Sequence, residues 1–192
     1  MTTAERPATP ESMDAEIAKL RREIGAASGE ARSAIEERIT ALCAARDGIR
    51  QQAVAATGRE LVALERDRAS AEQAVAAATS ATKAAAEAKL AQVRSALGAA
   101  RDRFQLQVAA IVRDTDEELA ILSVRVDAAN GAAKQALAST TAALKAKRDV
   151  IQAKLSALPG MAAAQWQAAR ADFDVAMQEL SSLRDQGMSG IN

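Results

Sequence analysis

The sequence predicts an all-α protein, an elongated helical bundle or coiled coil of long Ala-rich helices, and three observations predict it. By count, 51 of the 192 residues are Ala, the residue that loses no side-chain entropy on entering a helix. No proline lies between Glu11 and Leu158, so nothing in that span removes a helical donor. Large apolar residues recur in an eleven-residue rhythm, about 3.67 residues per turn, which is a helical period and not a strand's.

The elements follow in order. Residues 1–9 read as a loose tail, and Thr9-Pro10 is a helix start: a hydroxyl at the cap, then Pro where its missing N–H does no harm. The first helix is expected over 10–56. Its rows are Met13, Ile24 and Ile35; Ile17, Ser28 and Ile39; and Leu20, Ala31 and Leu42. They pass through Gly25 and Gly29, where weak spots rather than a chain reversal are expected.

A second set of rows carries Val93, Phe104, Thr115, Val126 and Leu137; Leu97, Val108 and Leu119; and Ala100, Ile111, Leu122, Ala133, Leu144 and Leu155. The two sets are out of phase by three residues, so a stammer or reversal must lie between Leu42 and Val93. Thr57-Gly58-Arg59-Glu60 is the expected place, as a capping box. A helix over 58–129 would then be roughly 105 Å long at ~1.5 Å per residue. The next break is expected at Asn130-Gly131, with the capping-box sequence Thr115 to Glu118 as its rival.

A third helix is expected over 132–158, with Leu137, Leu144, Ile151, Leu155 and Leu158 on one stripe. Pro159-Gly160 ends it. The last helix, 161–186, has a heptad seam of Trp166, Phe173 and Leu180, followed three behind by Ala169, Ala176 and Leu183. Gly187 is its stop, and 187–192 read as a tail.

Residues 74–91, AVAAATSATKAAAEAKLA, carry no large apolar side chain between Val75 and Leu90. Such a surface lets a partner helix approach closely. A homo-oligomer, most simply a dimer, is therefore expected, with Ala78, Ala81 and Ala85 near a close helix contact. The segment QAVAAATSATK (73–83) also resembles QALASTTAALK (135–145) at six of eleven positions.

Charge is balanced, 25 basic against 25 acidic residues, so no global field steers the chain to nucleic acid, which is not an expected partner. The absence of His and the single Cys43 remove the commonest general base and a one-chain thiolate zinc site. No phosphate-binding Gly-rich motif occurs. No enzyme, cofactor or metal is expected. The N-terminus has neither the basic start nor the apolar core of a signal peptide, and a cytoplasmic location is expected.

Two charged clusters carry alternatives. Asp114, Asp116, Glu117 and Glu118 splay around a helix and read as a solvated face or local cap. Lys145, Lys147, Arg148 and Lys154 flank the apolar stripe of 132–158. They suit the edge of a coiled-coil seam, paired with acids opposite, or a helix lying on an anionic surface. Trp166 and Phe173 are candidates for an interface or for packing on their own bundle.

The Ala-rich helical composition resembles that of phasins, which coat storage granules. The resemblance covers the chain without a shared motif, and it implies a hydrophobic or anionic surface as partner. The expected function is a non-enzymatic scaffold or assembly protein working through helix–helix contacts. The alternatives are a surface-binding helix bundle and an accessory factor of a nucleic-acid or secretion machine.

Overall fold

The computed structural model of the chain describes residues 9–161 and 163–189, with side chains for all of these but 163, 164 and 185–189. Among them the protein is all-α and has no strand. Its helices are α1 (Pro10–Glu23), α2 (Gly29–Ala77), α3 (Lys83–Ala128), α4 (Gly131–Ala157), a 3-10 turn (Leu158–Gly160) and α5 (Ala163–Ser189). Contacts divide the chain into two compact units, Met1–Ala53 and Val54–Asn192, and α2 passes from the first into the second.

In the first unit α1 begins at the cap read from the sequence. The Thr9 N–H donates to Ser12 Oγ at 3.0 Å and the Ser12 N–H to Thr9 Oγ1 at 3.3 Å, with Pro10 at the first helical position. The expected helix 10–56 is two helices, however. Gly29 opens α2 at φ +54°, a left-handed conformation that glycine adopts without the steric cost borne by other residues. The weak spot expected there is a chain reversal. The eleven-residue rows consequently fold onto themselves: Met13, Ile17 and Leu20 of α1 pack against Ile39, Leu42, Cys43 and Ile49 of α2. Ion pairs fix the antiparallel register, Arg38 to Glu16 at 2.9 Å and Arg50 to Asp14 at 2.7 Å.

Arg46 is 1% exposed, held by Asp14 at 3.0 Å and Asp47 at 3.1 Å. Burial, the largest single influence, works against its charge. Asp47, Asp14 and Cys43 together outweigh it and leave the pKa above the ordinary arginine value. The guanidinium is therefore a permanent cation of this hairpin.

In the second unit four helical segments run up, down, up and down. From Val54 onward α2 pairs antiparallel with α3 through Glu60–Arg103 and Glu65–Arg101, each at 2.6 Å, and Glu72–Arg94 at 3.2 Å. Helix α4 returns along α3, and Cα atoms of α4 come within 8 Å of both α3 and α5. Helix α5 runs antiparallel to α4 and parallel to α3. One core joins Val54 and Leu61 of α2 to Leu97, Phe104, Val108, Ile111 and Leu122 of α3. It continues through Leu144 and Ile151 of α4 to Trp166, Phe173 and Leu180 of α5. The stripes expected on 137–158 and 166–183 face this core, and so do Leu97, Phe104, Val108, Ile111 and Leu122 of the rows on α3, whereas Val93 and Val126 of the same rows are half-buried outside it and Ala133 is exposed.

Two expected breaks move. The helix is continuous through Thr57-Gly58, and Thr57 is buried within it. The reversal lies instead at 78–82, so the expected helix 58–129 is divided between α2 and α3. There the Thr79 carbonyl accepts from the Thr82 and Lys83 N–H groups at 3.0 Å each. The chain does break at Ala129-Asn130. Thr115, the rival position, lies inside α3 with its hydroxyl donating to the Ile111 carbonyl at 2.9 Å. Helix α5 extends to Ser189, past the stop expected at Gly187. Of the expected tails 1–9 and 187–192, Thr9 is the cap of α1 and 187–189 belong to α5, while 1–8 and 190–192 lie outside the described residues.

Alanine mostly lies on the outside. Among the described residues only Ala71, Ala100 and Ala176 are buried. It serves chiefly as a helix former, while Leu, Ile, Val, Phe and Trp make the contacts.

Candidate functional site

The chain has three aromatic residues, and the fold brings them together. Phe104 on α3 meets Trp166 and Phe173 on α5 edge to face, with ring centroids 5.8 and 5.7 Å apart and interplanar angles of 68° and 82°. Such pairs each add about 0.5–1.5 kcal/mol beyond the area they bury. Trp166, Phe173 and Leu180 thus face their own bundle, and all three are buried.

Polar groups continue this layer outward. The Arg101 guanidinium lies 5.1 Å from the Trp166 ring centroid, a cation–π distance. Its Nη2 donates to Glu65 Oε1 at 2.6 Å. Arg68 approaches the other oxygen, Nε to Oε2 at 3.2 Å. Arg170, one turn beyond Trp166, has Asp174 at 3.7 Å. Its guanidinium rests against α2 at Gly58, where a Cβ would stand 2.9 Å from Nη1. Leu61, Val62, Glu65, Arg101, Trp166, Gln167 and Arg170 line a small open cleft of about 10 Å³.

The basic stripe of α4 is paired with the neighbouring helices. Lys147 bonds Glu179 and Lys154 bonds Asp172 at 2.7 Å, both on α5. Arg148 reaches Asp116 on α3 at 2.7 Å and Asp149 at 2.8 Å. Lys145 has Asp149 one turn on at 3.9 Å. This is the layout of cations at the edge of a helix seam.

The acidic cluster of α3 is not a solvated face throughout. Asp114 and Glu118 are buried, and Glu118 accepts from both Nε, at 2.5 Å, and Nη2 of the Arg184 guanidinium. Arg184, Arg101 and Glu65 are not among the residues the sequence singles out. Periodicity could have found two partners: Glu118 lies seven residues after Ile111, and Arg101 follows buried Ala100. No local signal announces Arg184.

Ala78, Ala81 and Ala85 sit at the α2–α3 reversal rather than along a helix. Ala78 is half-buried, while Ala81, in the turn, and Ala85, in the first turn of α3, are exposed. A separate open groove of about 430 Å³ on α3 and α4 is lined by Asp102, Gln105, Leu106, Ala109 and Leu155. Among the described residues no group of three or more His, Cys, Asp or Glu could hold a metal ion, and no helix is long and apolar enough to cross a membrane. No protein-family model, curated protein or solved structure matches the chain.

Proposed function

We propose that the protein is a non-enzymatic scaffold or assembly component that works through helix–helix contacts and self-association, most simply as a dimer in the cytoplasm. The observation that carries this reading is the far end of the α2–α3 hairpin. From Arg66 to Ala96 only Ala71 and Leu90 are buried. Two helices with so little burial gain little to offset their ordering entropy, and isolated short helices are marginal in water. A second copy laid along the exposed Ala surface supplies what the hairpin lacks.

The reading as a binder of anionic surfaces is weaker, because Lys147, Arg148 and Lys154 are already neutralised by carboxylates of α3 and α5.

Light scattering tests the proposal. A dimer is expected at micromolar concentration. Ala85→Leu changes an exposed residue and should leave the chain's own fold intact. In a close homotypic contact it costs about 1–3 kcal/mol, which weakens association by about 5- to 150-fold. A monomer at micromolar concentration, unchanged by Ala85→Leu, would overturn the reading.

A further inference from the structure

We propose that the chain pairs with a second copy by exchanging α2: the turn at 78–82 straightens, α2 and α3 become one helix, and α2 of each copy takes the place of the other's on α3 and α5. The inference rests on the self-association proposed above and names how the two copies meet. Nothing local to Ala78-Thr79-Ser80-Ala81-Thr82 enforces a reversal. The segment holds neither Gly nor Pro, whereas Gly29 and Gly131 begin their helices at φ +54° and +59°. Among the described residues none but glycine has a positive φ. The turn is also close to helix already. The Lys83 N–H donates to the Thr79 carbonyl at 3.0 Å and the Ala86 N–H to that of Thr82 at 3.1 Å, the four-residue step of an α-helix. Thr82 gives α3 no side-chain cap. In a continuous helix the Ala84 and Ala85 N–H groups gain the Ser80 and Ala81 carbonyls as acceptors. The same pattern is helical elsewhere in this chain: residues 135–145 share six of eleven identities with 73–83 and lie wholly within α4.

Straightening keeps the contacts and changes only which copy supplies them. Glu60–Arg103, Glu65–Arg101 and Glu72–Arg94 join α2 to α3, and the same atoms can pair between copies. Val75, Thr79, Thr82, Ala86, Leu90 and Val93 are spaced three or four apart, which places them on one face of a continuous helix. That face carries on from Leu61, Glu65 and Glu72 in α2 to Leu97 and Arg101 in α3. A second copy running antiparallel therefore covers both seams at once, as an isologous contact. The register of Glu65–Arg101 and Glu72–Arg94 sets the two-fold in the first turn of α3. There the small side chains of Thr79 and Ala86 let the backbones approach, and Lys83 stands beside them with Glu87 at 3.9 Å. Residues 79–85 are exposed, so opening the turn uncovers little apolar surface.

Cross-linking separates exchange from any other dimer. Cys43 is the only cysteine, so Cys43→Ala clears the background, and Glu72→Cys/Arg94→Cys places a thiol on each side of an exposed ion pair. A short bis-maleimide is added at micromolar protein concentration and the product is run denatured. The turn at 78–82 joins the two thiols within one chain, whereas exchange joins two chains, and a band of twice the chain mass is expected. Ala81→Gly is an independent test. Position 81 is helical only after exchange, so one glycine in each of two chains should weaken dimerisation about 15- to 30-fold. Ala74→Gly lies inside α2 in both forms and should leave dimerisation unchanged. A dimer by light scattering whose cross-link stays within one chain would overturn the exchange and leave self-association standing, as would equal weakening by the two glycines. A monomer at micromolar concentration would overturn self-association and the exchange with it.

Discussion

Replacing Phe104 tests the arrangement of the second unit most directly. Phe104 is 0% exposed and is the ring shared by both edge-to-face pairs. Phe104→Ala removes the buried ring and leaves a cavity between α3 and α5, a change that costs about 3–5 kcal/mol. Leu106, two residues along the same helix, is 71% exposed. Leu106→Ala removes apolar surface that is already in water, and its effect should stay within about 0.5 kcal/mol. Urea unfolding followed by far-ultraviolet circular dichroism measures both, and Trp166 emission should shift only in the Phe104 variant. A loss below about 1 kcal/mol for Phe104→Ala, or equal losses for the two, would show that the aromatic residues do not meet as described.

The Glu118–Arg184 pair is expected to behave as a buried ion pair. Glu118→Leu removes the carboxylate that takes two nitrogens of the buried Arg184 guanidinium and should cost about 3–5 kcal/mol, whereas E118L/R184M should recover most of that loss; equal losses in the single and double variants would refute the coupling. Gly131 has φ +59°, and a methyl group added there would meet nothing within 4 Å, so Gly131→Ala should lose about 1–2 kcal/mol through backbone strain alone. Gly98, helical and equally open, should gain about 0.5–1 kcal/mol on replacement by Ala. Thermal melting decides both, and the same sign for the two glycines would contradict the assigned backbone.

The faces of the helices were legible because large apolar residues are scarce. With so few of them, most had to face inward, although Leu106 and Val124 do not. Leu144, Ile151 and Leu158 of one stripe, and Phe173 and Leu180 of another, are all 1% exposed or less. Thr9-Pro10 and Asn130-Gly131 were legible because their chemistry is local: a hydroxyl cap and a left-handed glycine. Partner choice was less accessible. Glu118 and Arg184 are 66 residues apart, and nothing near Arg184 distinguishes it from a solvated arginine. The cation–π pair of Arg101 and Trp166 likewise exists only once α3 and α5 lie side by side.

The reversal at 78–82 shows why helix propensity cannot place a turn in such a chain. Residues 73–83 and 135–145 share six of eleven identities, yet the first straddles the end of α2 and the second lies wholly within α4. Their threonines act differently too. Thr141 donates back to the Leu137 carbonyl at 2.7 Å inside the helix, whereas the hydroxyl of its counterpart Thr79 faces that of Thr82 across the turn at 3.3 Å. The deciding difference is position 82 against position 144. Leu144 is fully buried and ties its turn of helix to the core; Thr82 has no comparable burial to lose. Ala makes helix cheap on both sides of the reversal but gives neither side a reason to continue in line. The chain turns where its large apolar residues run out, and the next helix starts in the register that lets Leu90 and Leu97 pack.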